Sequence, residues 1–109
     1  MAYDEGLAER IRERLRDRTD VIEKRMFGGL AFMVAGHMAL GVMKEDLMVR
    51  VPPAEQEKLL GEKGTRREVF PGRPMKGIIV VGPTGHGDDA ALEKWVERGL
   101  RCVARKGKT

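Results

Sequence analysis

A single cysteine, Cys102, stands in the 109 residues, so no internal disulfide can form, and no histidine or second cysteine lies near it at metal-finger spacing. A disulfide-stapled secreted scaffold is thereby excluded, and a reducing, cytoplasmic setting is expected. Aromatic residues are as scarce: Tyr3, Phe27, Phe32, Phe70 and Trp95 are the whole set, too few for a stacking platform that would hold single-stranded nucleic acid. No apolar run approaches the ~20 residues that a membrane span requires. The first residues include Asp4 and Glu5, not the basic start and apolar stretch of a secretion signal. Charge of one sign is also lacking, since 21 basic residues face 17 acidic ones for a net +4. Only two imidazoles are present, His37 and His86, on different expected elements. A general base or metal centre at either would need the fold to gather carboxylates around it.

What is present specifies shape. The length and a hydrophobic content of 41% fit one globular domain over residues 1–109. From Asp4 to Arg18, Leu7, Ala8, Ile11 and Leu15 recur at helical steps and mark one buried stripe. The other face carries Asp4, Glu5, Glu9, Glu13 and Asp17 against Arg10, Arg12, Arg14, Arg16 and Arg18, five of each. Pairs three residues apart, such as Glu9 with Arg12 and Glu13 with Arg16, predict a solvated, salt-bridged surface rather than a DNA-reading helix.

Asp20 to Lys24 reads as a lead-in to Gly28-Gly29. Then come Leu30 to Val34, an Ala35-Gly36 turn, His37 to Met43, a Lys44-Glu45-Asp46 turn, and Leu47 to Val51. Short apolar runs joined by glycine or polar residues predict an antiparallel meander. Pro52-Pro53 ends it, and a short helix is expected from Ala54 to Leu60. Residues Gly61 to Gly77 read as a loop with one short strand near Arg67 to Phe70. Ile78-Ile79-Val80-Val81 reads as a strand covered on both faces. After a turn from Gly82 to Gly87, Asp88 is placed to cap a closing helix whose apolar stripe is Ala91, Leu92, Trp95, Val96, Gly99 and Val103. The seven methionines suit irregular gaps in a core.

Several groups invite a chemical reading. Val81-Gly82-Pro83-Thr84-Gly85-His86-Gly87 sits between a strand and a helix, as phosphate loops do. It lacks the Lys-Ser/Thr pair that such loops use, and Asp88 and Asp89 follow it, where they would repel a phosphate. A capping turn is the better account. His37 is expected on the exposed side of a strand, His86 in a solvent-facing turn, and Cys102 as a packed thiol. No catalytic residue, cofactor site or metal site is assigned, and the chain reads as a non-enzyme. The one candidate contact surface is the group Lys63, Arg66, Arg67, Arg73 and Lys76. With Glu62 and Glu68 it sums to +3 of the chain's +4. Five cations on a loop could hold phosphates without reading sequence, and they could equally be solvated.

Taken in order, Arg25-Met26-Phe27-Gly28-Gly29, Gly36, Leu47-Met48-Val49-Arg50-Val51, Arg73-Pro74-Met75-Lys76-Gly77, Gly82-Pro83 and Leu92 to Trp95 resemble the N-terminal domain of the TfoX/Sxy family. Aliphatic Leu40 and Ile79 stand where relatives often have aromatics. The resemblance implies an α+β fold, an antiparallel β-sheet with N-terminal and C-terminal helices packed on it, similar to the secretion-chaperone architecture. Full-length members carry a second, helical domain and look like competence regulators that act with the cyclic-AMP receptor protein. By that resemblance the expected partner is a protein, a transcription factor of that kind, with DNA as the alternative, a homodimer as a further expectation, and no membrane.

Overall fold

The computed structural model describes residues 3–26, 28–69 and 74–106. The first helix, α1 (Glu5–Leu15), starts where the Asp4 carboxylate accepts a hydrogen bond from the Leu7 N–H at 3.2 Å. It buries Leu7, Ala8, Ile11 and Leu15, the stripe read from the sequence. It ends at Leu15 and not at Arg18 because the next positions on that face, Arg18 and Thr19, are polar and exposed, so further helix would bury nothing.

Four strands follow as the expected meander: β1 (Val21–Met26), β2 (Gly29–Val34), β3 (His37–Met43) and β4 (Asp46–Arg50). The segment read as a lead-in is thus a full strand, β1, paired with β2 from Val21↔Val34 to Met26↔Gly29. Its charged run, Glu23-Lys24-Arg25, hides it from a hydrophobic pattern; the partner strand decides its conformation. At the β2–β3 hairpin Ala35 and Gly36 both have positive φ, 52° and 87°, the twist that suits a two-residue connection between right-twisted strands. Gly29 answers a different need. A Cβ there would lie 2.5 Å from the Val42 carbonyl oxygen, so only glycine lets β2 come so close to β3.

After a 3₁₀ turn at Pro53–Glu55, α2 (Gln56–Leu59) leads to β5 (Thr65–Val69) and β6 (Pro74–Val81). The short strand expected near Arg67 to Phe70 is β5, and the rest of the expected loop from Gly61 to Gly77 is corrected at its end, where β6 already begins at Pro74, with Thr65↔Val81 and Val69↔Pro74 in register. The arginines and glutamate of β5 blur its start, because it is an edge strand. The short α3 (Pro83–His86) and the long α4 (Asp89–Lys106) complete the chain. As expected, the Asp88 carboxylate accepts from the Ala90 N–H, at 2.7 Å.

One six-stranded antiparallel sheet results, in the order β1-β2-β3-β4-β6-β5. Leu30, Phe32, Leu40, Val42, Leu47, Val49, Ile79 and Val81 form one core cluster with the α1 stripe and with Leu92, Trp95, Val96 and Val103 of α4. Residues 78–81 are all buried, as the β-branched run predicted. The arrangement is α+β, with the N- and C-terminal helices on the sheet.

Candidate functional site

The five basic residues do not form a single loop surface. Lys63 is exposed in the turn before β5, and Arg66 is exposed on β5 with its guanidinium 2.6 Å from an Asp46 carboxylate oxygen on β4. Arg67 follows opposite Ile79, whereas Arg66 lies opposite Val80. Successive strand positions alternate between faces, so positions 66 and 67 belong to opposite sides of the sheet. Lys76 lies within β6, and Arg73 lies outside the described residues.

Glu62, counted in the sequence as partial neutralisation of that group, is turned away from it. Arg98 of α4 donates to it at 3.0 Å and approaches its other oxygen at 2.8 Å, and Lys94 stands at 3.1 Å. Arg98 also lies over the Trp95 ring, 4.5 Å from the centroid, a cation–π contact that helps orient the guanidinium. The Arg98 hydrogen bond, with Lys94 adding to it against partial burial, holds the Glu62 carboxyl below its ordinary value of 4.5. On the other side of the molecule Arg12 donates through two nitrogens to Glu23, both at 2.7 Å, and lowers that carboxyl in the same way.

The sign of the pH effect follows. A carboxyl whose folded pKa lies below its unfolded one leaves the unfolded chain holding more protons in between. The stability it adds is complete above the unfolded value, 4.5 for Glu62, and is lost as pH falls through the folded value. Glu62→Gln is expected to cost about 1 kcal/mol at neutral pH and to flatten the acid limb of the stability profile. Urea unfolding from neutral pH down to pH ~3 checks it, since that range spans the ordinary glutamate value. Equal acid slopes for the variant and the parent would refute the role given to the Arg98 contact.

The α1 arginines divide into two groups. Arg12 pairs with Glu9, and Arg16 with Glu13 at 3.0 Å, as the spacing predicted. Arg10 instead donates to the carbonyls of His86 and Gly87 and to Asp89, all within 3.1–3.2 Å, and Arg14 donates to the Asp89 carbonyl at 3.2 Å. Together they tie α1 to the α3–α4 junction.

His86 corrects an expectation. It is buried, not solvent-facing, at 5% exposure, because the β3–β4 turn folds over α3 and the Glu45 carbonyl accepts from Nε2 at 2.9 Å. Its Nδ1 is buried without a hydrogen-bond partner among the described residues. The partner it does have is a backbone carbonyl, so the imidazole fastens a turn. His37 is half-buried on β3, opposite Val34 of β2. Cys102 is buried, as expected, beside a shallow hollow that Pro52, Leu59, Arg98 and Arg101 also line. Among the described residues no group of three or more His, Cys, Asp and Glu is placed to hold a metal ion, and no helix is long and apolar enough to cross a membrane.

One polar group escaped sequence reading. Gln56 of α2 is buried at 6% exposure; its Nε2 donates to the Ile78 carbonyl and its Oε1 accepts from the Gly77 N–H, each at 3.1 Å. Nothing in a Pro-Ala-Glu-Gln-Glu-Lys run marks the glutamine as interior.

These features define a small α+β domain on one open antiparallel sheet, whose polar side chains mainly fasten helices and turns to that sheet. Residues 13–103 match the TfoX N-terminal domain, and the chain belongs to that family. The family is not one of known enzymes, and membership points to a regulatory or competence-related role. No curated protein and no solved structure matches the chain.

Proposed function

We propose that the domain is a non-enzymatic regulatory module that acts by protein contact in competence-type control of transcription. The family match over residues 13–103 carries the proposal. The geometry is in keeping with it, because the arginines of α1, the Gln56 amide and the His86 imidazole are occupied in holding the fold. The partner fitting the family is a transcription factor of the cyclic-AMP receptor type. Immobilised, folded domain is expected to retain purified cyclic-AMP receptor protein. If it retains neither that protein nor any other transcription component of a bacterial lysate, with its circular dichroism intact, the proposal fails.

A second reading, sequence-blind DNA binding, draws on the exposure of Lys63 and of Arg66, the latter paired with Asp46, and on the engagement of Glu62 by α4. It requires duplex affinity that falls steeply with salt and falls again when Arg66, Arg67 and Lys76 become glutamate. Fluorescence anisotropy at low salt decides: absence of binding removes this reading and leaves protein contact standing.

A further inference from the structure

The two edges of the sheet are β1 and β5, and they are built differently. Both edges carry charge, Glu23, Lys24 and Arg25 on β1 and Arg66, Arg67 and Glu68 on β5, but β5 also has a register shift between Arg67 and Val69. A shift of this kind discourages an edge from recruiting another strand. β1 has no proline, and its six residues pair with β2 without a shift. In antiparallel pairs the residues that exchange hydrogen bonds alternate with those that do not. The Ala35 N–H donates to the Asp20 carbonyl at 3.0 Å. This places Asp20, Ile22 and Lys24 in the set directed at β2, and leaves the backbone groups of Val21, Glu23 and Arg25 directed to the free edge.

The side chains supply an independent sign. Ile22, at 66% exposure, is the only exposed large hydrophobic residue among those described, and it stands on this edge strand. An isolated exposed aliphatic is ordinary on a surface. Coupled to an unbroken free strand, it marks a place where both backbone and side chain gain from a neighbour.

We infer that β1 is a dimerisation strand, and that its occupant is β1 of a second copy, antiparallel, about a two-fold axis normal to the sheet. Such an axis keeps the same face upward in both copies, so odd positions meet odd positions. Centring the pair on Glu23 would set two glutamates against each other. Centring it on Lys24 sets Glu23 opposite Arg25 of the second copy, twice, and position 22 opposite position 26, twice. Opposite charges and apolar pairs directly across a ladder stabilise it, and like charges do not. Each of these two registers sets one like-charged pair on the axis, Glu23 with Glu23 or Lys24 with Lys24. Only the second adds two opposite-charge pairs, with each Glu23 also held by Arg12 of its own chain, and this favours the Lys24-centred register. Glu23 and Arg25 belong to the free-edge set, so this register also gives the outward backbone groups their partners. The inference rests on the sheet alone and does not depend on the regulatory role, which a monomer would serve as well.

Sedimentation equilibrium over a wide concentration range tests it. The native chain is expected to show a monomer–dimer equilibrium, and Ile22→Lys to raise the dissociation constant about tenfold or more. Lys24→Thr, which removes the like-charge contact, is expected to tighten it. Lys24→Cys places a thiol against its own symmetry mate and is expected to cross-link under a mild oxidant, while Ile22→Cys is not. Position 22 is exposed, as is position 24, so each variant is expected to keep the native circular dichroism. A native chain that is monomeric throughout overturns the inference, as does a dimer indifferent to Ile22→Lys. Cross-linking through Glu23→Cys in place of Lys24→Cys overturns the register.

Discussion

Trp95→Ala is expected to lower the free energy of unfolding by about 3–5 kcal/mol, a large share of the ~5–15 kcal/mol that ordinarily holds a native domain. The indole is 1% exposed and among the largest fully buried side chains, in the cluster that joins α4 to the sheet. Its loss opens a cavity that close-packed neighbours fill only in part. It also removes the surface on which Arg98 lies, and with it part of the hold on Glu62. Two effects therefore act in one direction: a lost apolar contact and a loosened ion-pair cluster between α4 and the turn before β5. Because Trp95 is the sole tryptophan, unfolding of the variant must be followed by far-ultraviolet circular dichroism in urea. A loss below about 0.5 kcal/mol, the range of ordinary surface changes, would show that α4 is held mainly by other contacts. Trp95→Phe keeps most of the apolar volume and should restore more than half of the loss.

Gln56→Leu is the second large expected effect, about 2–4 kcal/mol. Leucine fills nearly the same space, so the cost does not come from a cavity. It comes from the Gly77 N–H, which donates to the amide oxygen, and the Ile78 carbonyl, which accepts from the amide nitrogen, both of which lose that partner. These groups lie where β6 passes α2, and both residues are buried, so water cannot replace the glutamine cheaply. Gln56→Glu separates the two halves of the clamp: a carboxylate still accepts from Gly77 but cannot donate to Ile78. Its midpoint in urea should fall between those of the parent and the leucine variant at neutral pH, less any added cost of burying its charge. If Gln56→Leu is as stable as the parent, the amide does not hold α2 to β6.

How much of this was legible depended on whether a residue's partner lay nearby in the chain. Leu7, Ala8, Ile11 and Leu15 declared α1 by their own spacing, the glycines and apolar runs from Gly29 to Val49 declared the meander, and Ile78 to Val81 declared a covered strand. Local pattern sufficed there because one face of each segment meets the core. β1 was hidden, and β5 legible only in its later part, because both are edges rich in charge whose extended form is imposed by β2 and β6. The burial of His86 was illegible for a similar reason, since its cover comes from Glu45, 41 positions away. The cation group was visible as composition, yet its division between sheet faces depends on pairing with β6, and the attachment of Glu62 to α4 depends on Arg98, 36 positions on. Family motifs, read in order, reached the fold where periodicity alone did not.

Strand order leaves a mark on biosynthesis. Since β6 lies between β4 and β5, a ribosome that has released the chain only as far as Val69 has made β5 without the neighbour it needs. The growing polypeptide then carries β4 bare along one side, while Leu47 and Val49 still await α4. Arrest at that stage would yield a client for chaperones, and release past residue 106 would end the exposure.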